Sequence, residues 1–246
     1  MERKNHRDSI GEETSGVPGL DQETAKFHSE DKPQRTRACS SNAKVERKTT
    51  ILASASELFS VRGYREVSID DVARCAGLAK GTVYLYFKTK ETLFLGLCAE
   101  AFQDWFDALE RGLPDKGAGA KALASVIAST LRDRPQLLRL IALLHSVFEE
   151  NVDDSALRDF KLQMLVLLRK PAARIERVLG LKRDLGLRVM LWTHALLVGL
   201  AQMTSKDSTS QRLLARYPEL EALHLDFSKD FESALAAMLK GCSSLA

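Results

Sequence analysis

The sequence predicts an all-α protein in which a small basic domain is followed by a larger, electrically neutral one. Pro and Gly are sparse after residue 43, and apolar residues recur at helical spacing. No alternation of apolar and polar residues persists with a period of two, so strands have little support. The charge is unevenly divided, because residues 32–90 hold 12 basic and five acidic side chains whereas residues 91–246 hold 20 of each.

The composition of the whole chain limits its organisation and its partners. With 246 residues, the chain can form one large domain or two modest ones, each with a core. Its 45% hydrophobic and 28% charged residues are typical of soluble globular proteins. The net charge of +7 in residues 32–90 favours a polyanionic partner for that block, with a merely solvated basic face as the alternative.

The first elements are a tail and two helices. Residues 1–43 carry scattered charges, Ser, Gly and Pro without apolar periodicity, which predicts a disordered tail. An apolar stripe that starts at Ile51 predicts a first helix ending at Gly63. Ser68 and Asp71 have the spacing of a capping box, in which the hydroxyl of the first residue accepts from the backbone amide of the second. A short second helix therefore begins after Ser68.

Two further helices complete the basic domain, which we place at residues 44–92. Gly77 ends the second helix, and a third short helix is predicted over about 79–86. Thr89 can cap a long fourth helix from Lys90 to about Arg111.

Residues 93–246 are predicted to form a larger helical domain. Pro171 lies within one of its apolar segments and is expected to kink or split that helix. The run Val189–Ser205 contains no Asp, Glu, Lys or Arg, and we interpret it as a helix at a core or subunit contact, not a membrane span. The predicted helices are 118–132, 135–150, 154–180, 183–205 and 226–241, with one or two turns around 208–224.

The third helix has side chains suited to DNA. Val83 and Phe87 are four residues apart and can face the core, which turns Lys80 and Tyr84 outward. Gly81 costs a helix about 1 kcal/mol relative to Ala, and close approach of the backbone to DNA gives it a reason. A short helix, a glycine turn and an outward-facing basic and aromatic helix are typical of helix-turn-helix domains, which insert such a helix into the major groove.

Residues 51–94 resemble the DNA-binding domain of the tetracycline-repressor (TetR) family. The resemblance rests on three motifs in order: "ELFSVRGY", "SIDDVARCAG" and "GTVYLYFKTKETL". It implies base or phosphate contacts for one set of residues and contacts to the DNA backbone for a second. The first set is Lys80, Gly81, Thr82, Tyr84 and Tyr86, and the second is Ser68 and Lys90. Two positions depart from the family: Ala79 replaces a frequent capping Ser, and Tyr86 replaces a frequent His.

The resemblance also implies a function. A member of the family is expected to regulate transcription, here as a repressor, by binding a palindromic operator as a homodimer. A small, mostly apolar effector is expected in the body, and its binding would release the DNA. From their charge, the basic residues at the end of the tail are expected to add sequence-independent phosphate or minor-groove contacts. These residues are Lys32, Arg35, Arg37, Lys44, Arg47 and Lys48.

The alternative from another class is an all-α ligand-binding or catalytic protein whose basic head only contacts partners. No Ser/His/Asp, Cys/His or paired-carboxylate set stands out in the body, and no Gly-rich phosphate loop is present, which disfavours an enzyme. We therefore predict no catalytic residues and no cofactor.

The effector pocket is predicted from aromatic and sulfur-containing side chains of the body. His145 and Glu149 are four residues apart, which suits a metal, but without a second ligand pair we expect a local hydrogen bond and no metal site. His194 is expected to be a buried histidine with its hydrogen bonds satisfied. The predicted pocket residues are Phe102, Trp105, Phe106, His145, Phe148, Met164 and Trp192.

The cysteines favour a reducing compartment. Cys39, Cys75, Cys98 and Cys242 are far apart and lack metal-ligand spacing, so they are predicted to be isolated thiols. The N-terminus has no apolar segment typical of a secretory signal, and a cytoplasmic protein is expected.

Overall fold

The computed structural model describes the backbone of residues 34–114, 117–205 and 209–242, and the side chains from residue 42 onward within these ranges. The chain divides into two units, Met1–Ser41 and Asn42–Ala246. The predicted disorder of residues 1–33 lies outside the described residues. Both predicted domains, the basic head and the larger body, belong to the second unit and share one continuous core.

The head contains three helices and one short turn. Helix α1 spans Gln34–Val61, a 3-10 turn covers Tyr64–Glu66, α2 spans Ile69–Cys75 and α3 spans Lys80–Tyr86. The expected tail boundary at residue 43 is wrong in one respect, because the backbone of 34–43 is helical. Those residues lack apolar periodicity, but extending an existing helix adds one hydrogen bond for each residue fixed.

The head helices begin where their capping residues predict. Ser68 Oγ accepts from the backbone amide of Asp71 at 3.1 Å, and the Asp71 carboxylate accepts from the Ser68 amide at 3.1 Å, which completes the capping box. Gly77 follows α2 with φ +66°, in the left-handed region that glycine tolerates without strain. Ala79 occupies the N-cap position of α3 and gives it no side-chain cap, as expected from the missing Ser.

The body consists of seven helices among the described residues. Thr89 Oγ1 accepts from the amide of Thr92 at 3.0 Å and so caps α4, as predicted. The helices are α4 (Lys90–Gly112), α5 (Ala120–Arg132), α6 (Pro135–Leu143), α7 (Asp154–Leu179), α8 (Leu185–Met203), α9 (Thr209–Arg216) and α10 (Phe227–Cys242). A 3-10 turn covers Pro218–Leu223. No strand occurs in the parts of the chain that the structure describes.

Two predictions about the body helices need correction. The helix expected over 135–150 ends at Leu143 and continues as a π-helical turn over Leu144–Phe148 and a 3-10 turn over Glu149–Asn151. The partners of the π-turn side chains lie on distant segments, which helical periodicity does not show. Pro171 does not split its segment, because α7 runs through it without interruption and buries the proline. Tertiary packing here overrides the cost of a missing hydrogen bond.

Helix α4 connects the head to the body and packs against α5, α6 and α7, while α8 packs against α6, α7 and α10. The start of α8 lies very close to α7, since a Cβ on Gly186 would come 2.1 Å from the carbonyl oxygen of Ala172. Among the described residues, Leu185–Met203 is the one helix long and apolar enough to cross a membrane, and 39% of it is buried inside the protein. It packs against three other helices and also leaves the apolar residues Leu191 and Trp192 exposed.

Candidate nucleic-acid interface

The recognition surface is built on α3. Val83 is fully buried and Phe87 is 3% exposed, so both face the core as predicted. Lys80 and Gly81 are exposed, and Tyr84 is 44% exposed on the same helix. A Cβ added to Gly81 would meet no atom of the protein within 4 Å. Packing within the described structure therefore does not explain this glycine.

Two of the residues predicted to contact DNA are less exposed than Lys80 and Tyr84. Thr82 and Tyr86 are half-buried beside the exposed residues of α3, and Tyr86 packs against the core. Their hydroxyls still lie on the helix that carries Lys80 and Tyr84.

Leu85 is a residue of this surface that the sequence reasoning missed. It is 84% exposed although it is apolar and lies in the middle of the predicted recognition helix. The spacing could have revealed it: with Val83 and Phe87 facing inward, the residue between them must face outward. An exposed leucine on this helix can contact the methyl group of thymine.

An ion-pair network links α2 to the start of α3. Arg74 donates to the carboxylate of Asp70 at 3.0 Å, and the Lys80 ammonium lies 4.0 Å from the same carboxylate. Asp71 lies 3.8 Å from Arg74 and 4.0 Å from Arg62. The hydrogen bond from the Ser68 hydroxyl, followed by that from its amide, holds the pKa of Asp71 below its usual value.

Lys90 is the first residue of α4 and contacts the turn between α1 and α2. Its ammonium donates to the backbone carbonyl of Tyr64 and lies 4.0 Å from the centre of the Tyr64 ring. Burial lowers the pKa of Lys90, and burial together with a hydrogen bond to Glu91 raises the pKa of Tyr64. Lys90 thus braces the turn between α1 and α2. Ser68 is exposed, with its hydroxyl in the capping box.

An aromatic cluster joins the head to the body. Phe94 of α4 is fully buried and lies 5.4 Å from Phe59, 4.9 Å from Tyr64 and 5.7 Å from Phe148, measured between ring centres. Tyr64 also lies 5.4 Å from Phe148 of the π turn. The head therefore does not pack as an independent domain, because its aromatic residues share a core with α4 and the π turn.

Helix α6 holds the end of α1 through two side chains. Gln136 donates to the carbonyl oxygen of Ser56 at 2.9 Å. Arg139 donates to the carbonyl oxygen of Arg62 at 2.7 Å, and its guanidinium lies 4.3 Å from the centre of the Phe59 ring. Arg139 thus satisfies a carbonyl group just beyond the C-terminal end of α1, whereas Gln136 bonds to a carbonyl group within the helix.

The predicted pocket residues of α4 are brought together. The rings of Phe102 and Phe106 stack at 5.7 Å, and Trp105 lies 4.9 Å from Phe106. Each of the three is at most 5% exposed, and Trp105 donates its indole N–H to Thr130 at 2.9 Å. They are well packed in the structure described here.

A chain of polar groups runs from the exposed Lys161 on the surface of the body to His194 beside these rings. Lys161 donates to Glu149 at 2.6 Å, Glu149 lies 3.0 Å from Nδ1 of His145, and Nε2 of His145 lies 3.0 Å from Nε2 of His194. Burial, followed by the neighbouring His145, lowers the pKa of His194 to about 4. Burial acts to raise the pKa of Glu149, but hydrogen bonds from His145 and Lys161 outweigh it and hold that pKa below its usual value. The sequence predicted the His145–Glu149 bond and a satisfied His194, but not that the two histidines meet.

The remaining predicted pocket residues have mixed environments. Phe148 is fully buried in the head–body cluster, and Met164 is half-buried on α7. Trp192 is 39% exposed on the outer face of α8. Where side chains are described, no group of three or more His, Cys, Asp or Glu has the arrangement of a metal site.

Two surface clefts lie elsewhere. One, of about 520 Å³, runs between α5 and α10 beside Lys121, Lys229 and Ala236. The other, of about 470 Å³, is lined by Asp104, Asp107, Arg111, Asp133 and Arg134. Neither is lined by a predicted pocket residue.

The cysteines with described side chains are isolated thiols. Cys75 is exposed, whereas Cys98 and Cys242 are buried, and all three are free. Burial raises the pKa of the Cys98 thiol, which disfavours its reactive thiolate form. Cys39 lies outside the described side chains.

A basic helix-turn-helix head joined to a larger all-helical body defines a DNA-binding transcription regulator. The chain belongs to the TetR family of such regulators. The family model "Bacterial regulatory proteins, tetR family" matches residues 51–97, and the model "Tetracyclin repressor-like, C-terminal domain" matches residues 99–245. The second match covers more than half of the chain.

Similar curated proteins are transcription regulators by name. The fatty acid metabolism regulator protein of Bacillus subtilis is 33% identical over 78 residues, which cover 32% of this chain and 40% of that protein. The HTH-type transcriptional regulator RutR of Escherichia coli is 28% identical over 112 residues, 45% of this chain and 50% of that protein. The matched segments thus span no more than half of these two relatives.

Solved structures show the same fold. A transcriptional regulator from Rhodococcus sp. Rha1 has a TM-score of 0.52 at 17% identity, covering 80% of this chain and 96% of its own. GusR of Salmonella enterica has a TM-score of 0.50 at 17% identity, and the match covers 79% of this chain and 96% of GusR.

Proposed function

We propose that this chain is a ligand-responsive repressor that binds a palindromic operator as a homodimer in the cytoplasm and is released by a small, mostly apolar effector. The observation that carries the proposal is the orientation of α3. Burial of Val83 and Phe87 leaves Lys80, Gly81 and Tyr84 exposed on a helix within a block of net charge +7. That arrangement suits the major groove of DNA.

Each exposed group of α3 has a distinct proposed role. Lys80 contacts a guanine edge or a phosphate, and Thr82 offers a hydroxyl or a methyl group to a base. Tyr84 and Tyr86 donate to phosphate oxygens, and Gly81 allows the backbone to approach. Ser68 lies at the start of α2, where it can meet the DNA backbone. For Lys90 the structure favours an indirect role, since its ammonium already holds the carbonyl of Tyr64.

The DNA experiment compares single variants with a matched surface control. Lys80→Ala should weaken binding and, where the ammonium meets a base, relax specificity there by about 1–3 kcal/mol. Tyr84→Phe should lose one phosphate hydrogen bond and weaken binding evenly across sequences. Lys121→Ala removes an exposed lysine of the body and should leave DNA affinity unchanged. Equal affinity for DNA in all three folded variants contradicts the assignment of α3.

The homodimer is proposed to form through the exposed apolar faces of α7 and α8. Leu191 and Trp192 on α8 are 43% and 39% exposed, and Leu162 and Val166 on α7 are 47% and 65% exposed. The two helices pack against each other, so their faces can join those of a second copy into a four-helix bundle. Apolar residues grouped in this way on a surface favour an interface.

The dimer has a direct test in solution. Trp192→Asp combined with Leu191→Asp places two buried charges in the proposed interface and should give a monomer by analytical ultracentrifugation. Leu213→Asp is the control, because Leu213 is an exposed leucine of α9 outside this face. A double variant that sediments like the unaltered protein contradicts the α7–α8 interface.

The effector site is proposed beside the aromatic residues of α4. Phe102, Trp105 and Phe106 supply an apolar wall, and His194 lies 5.9 Å from the Phe102 ring as a polar group for orientation. These rings are packed together, so an effector must displace side chains to enter. Such displacement would act on α4, which begins beside the head.

Coupling between the effector site and DNA is proposed to pass along α4. Its first turns carry Phe94, which contacts Phe59 and Tyr64 of the head, and its later turns carry Phe102 and Phe106. A tilted α4 would move the two heads away from the spacing of about 34–36 Å between successive major grooves. Coupling free energies of about 1–3 kcal/mol correspond to a 5- to 150-fold loss of operator affinity.

A thermal-shift screen of small apolar compounds tests the effector site. A compound that binds there should raise the unfolding temperature, lower DNA affinity and lose both effects in Phe106→Ala. A bulkier residue in place of Ala101 should either mimic the effect of the compound on DNA affinity or block binding of the compound. An effector site on α4 is contradicted if compounds bind Phe106→Ala and the Ala101 variant as tightly as they bind the unaltered protein. It is also contradicted if bound compounds leave the affinity for DNA unaltered.

A further inference from the structure

Asp70 is an acidic residue on the proposed DNA-contacting surface, in the first turn of α2, where a negative charge contributes modestly to helix stability. It follows Ser68 at the start of α2, and its side chain is 54% exposed. Its carboxylate accepts from Arg74 at 3.0 Å and lies 4.0 Å from the ammonium of Lys80. These two cations are the only side chains with which the described structure pairs it.

The neighbouring residue, Asp71, has a structural role that can be compared with the environment of Asp70. Asp71 completes the capping box with Ser68, and its side chain is 25% exposed. The cap accounts for an acidic residue at 71. Asp70 takes no part in the cap, and exposed ion pairs such as those of Asp70 contribute little to folding stability.

A carboxylate at this place opposes DNA binding unless it has another use. It repels phosphates, and it holds the two cations that would otherwise be free to neutralise them. Binding to DNA of any sequence must therefore separate Lys80 and Arg74 from Asp70. Non-specific binding depends almost wholly on such phosphate contacts, whereas specific binding also gains from contacts to base edges.

We propose that Asp70 limits binding to DNA of non-operator sequence by acting as an internal competitor of DNA phosphates for Lys80 and Arg74. In the free protein the carboxylate holds both cations. On DNA of the wrong sequence, phosphate contacts alone replace these ion pairs, so the net gain is small. On the operator, contacts of α3 to the bases supply the additional free energy, and Lys80 leaves Asp70. The inference rests on the proposed function, since it requires α3 to contact DNA.

The test measures binding to a short fluorescent duplex of scrambled sequence, which needs no knowledge of the operator. Asp70→Asn keeps the size of the side chain and removes its charge. Anisotropy titrations between about 50 and 200 mM salt should show about 3- to 10-fold tighter binding than the unaltered protein. The plot of log affinity against log salt should be steeper by about one unit for each head, because the freed cations can then neutralise a phosphate.

Two controls separate this effect from a general change of charge. Glu66→Gln removes an exposed carboxylate from the 3-10 turn of the same head, where no ion pair with Lys80 or Arg74 is formed in the described structure. Glu66→Gln should raise the affinity for the scrambled duplex less than Asp70→Asn does, and it should leave the slope of log affinity against log salt unchanged. Combining Asp70→Asn with Lys80→Ala and Arg74→Ala should abolish the gain. Matching thermal unfolding curves establish that the variants are folded.

The outcomes distinguish this inference from the function on which it rests. If Asp70→Asn binds the scrambled duplex no more tightly than Glu66→Gln does, Asp70 is not a competitor and the inference is overturned. The same holds if the gain survives removal of both Lys80 and Arg74. If the unaltered protein binds no duplex even at low salt, the proposed function itself is wrong, and the inference falls with it.

Discussion

The head and the body achieve the same helical state by different means. Helices α2 and α3 have seven residues each, too short to be stable alone, and are held by a capping box and a few buried residues such as Val72 and Val83. The body helices reach 26 residues in α7 and bury long apolar stripes. The head places its ion pairs on the surface, whereas the body has a chain of polar groups that leads from the surface to His194, a side chain that is mostly buried.

This difference suits the two proposed roles, DNA contact in the head and response to an effector in the body. Exposed charges in the head remain available to a partner and are weakened by salt. The polar groups of the body join α7, α8 and the π turn, so their geometry depends on how these segments pack. The two regions meet at Phe94, and the following predictions test how far they are distinct.

The largest effect is expected where the regions share a core. Phe94→Ala should lower the free energy of unfolding by about 3–5 kcal/mol, because it leaves a cavity among Phe59, Tyr64 and Phe148. Urea unfolding followed by circular dichroism measures the loss, and Phe94→Leu should cost much less. A loss below about 1 kcal/mol would show that the junction is loosely packed.

The two tryptophans, Trp105 and Trp192, both lie in the body, so their fluorescence reports on that region alone. With a shared core, the fluorescence and circular dichroism transitions should coincide. A separate early transition in circular dichroism would instead make the head an independent domain.

The second effect is a pH dependence that comes from the body. The pKa of His194 is about 4 in the folded protein and about 6.5 in a short exposed peptide, so the unfolded state binds more protons between these values. Folding stability should therefore fall as pH drops from about 6.5 to about 4, by on the order of 2–3 kcal/mol. Urea unfolding at several pH values measures the slope.

A matched pair of variants assigns this slope to the buried histidine. His194→Leu should flatten it, since the side chain of His145 is 40% exposed and can turn to water in place of its former partner. His224→Gln, which changes an exposed histidine, should leave the slope intact. Equal slopes in the unaltered protein and His194→Leu contradict the account of the polar chain.

The third effect concerns the local interactions that hold the head. Ser68→Ala removes the hydroxyl that accepts from Asp71 and should cost about 0.5–2 kcal/mol of folding stability. Ser129→Ala is the control, because that hydroxyl donates to a carbonyl in the middle of α5 and caps nothing. Equal stability of the two variants would mean that the cap has no role in holding α2.

The smallest effect is expected from the basic residues before the head. Replacing both Arg35 and Arg37 by Gln should reduce the salt dependence of DNA binding by up to about one unit of slope for each arginine that would have neutralised a phosphate. The fold should be unaffected. An unaltered slope would show that these arginines take no part in binding.

The head could be predicted closely because its features are local in sequence. The capping box at Ser68, the turn at Gly77 and the cap at Thr89 each depend on residues within a few positions of one another. The inward positions Val83 and Phe87 follow from helical spacing. The turn of Lys90 toward Tyr64 could not be predicted, because that contact joins residues 26 positions apart.

The body could be predicted only in outline. The bounds of its helices follow from apolar periodicity and lie close to those observed, but the π turn at Leu144–Phe148 does not. The contact between His145 and His194 joins residues 49 positions apart and depends on how α6 and α8 pack. Whether an aromatic residue lines a pocket or fills the core depends on the same packing, which explains why Trp192 and Phe102 differ in exposure.

Selection of DNA from a pool of random duplexes tests the central claim most directly. The account predicts that the unaltered protein enriches a palindrome whose half-sites are centred about 10–10.5 base pairs, or a multiple of that, apart. Lys80→Ala should enrich the same palindrome with relaxed preference at one symmetric pair of positions. Two results would contradict recognition of an operator by α3. One is that the unaltered protein enriches no common sequence. The other is that Lys80→Ala and Thr82→Ala both enrich the same sequence, with the same base preferences, as the unaltered protein.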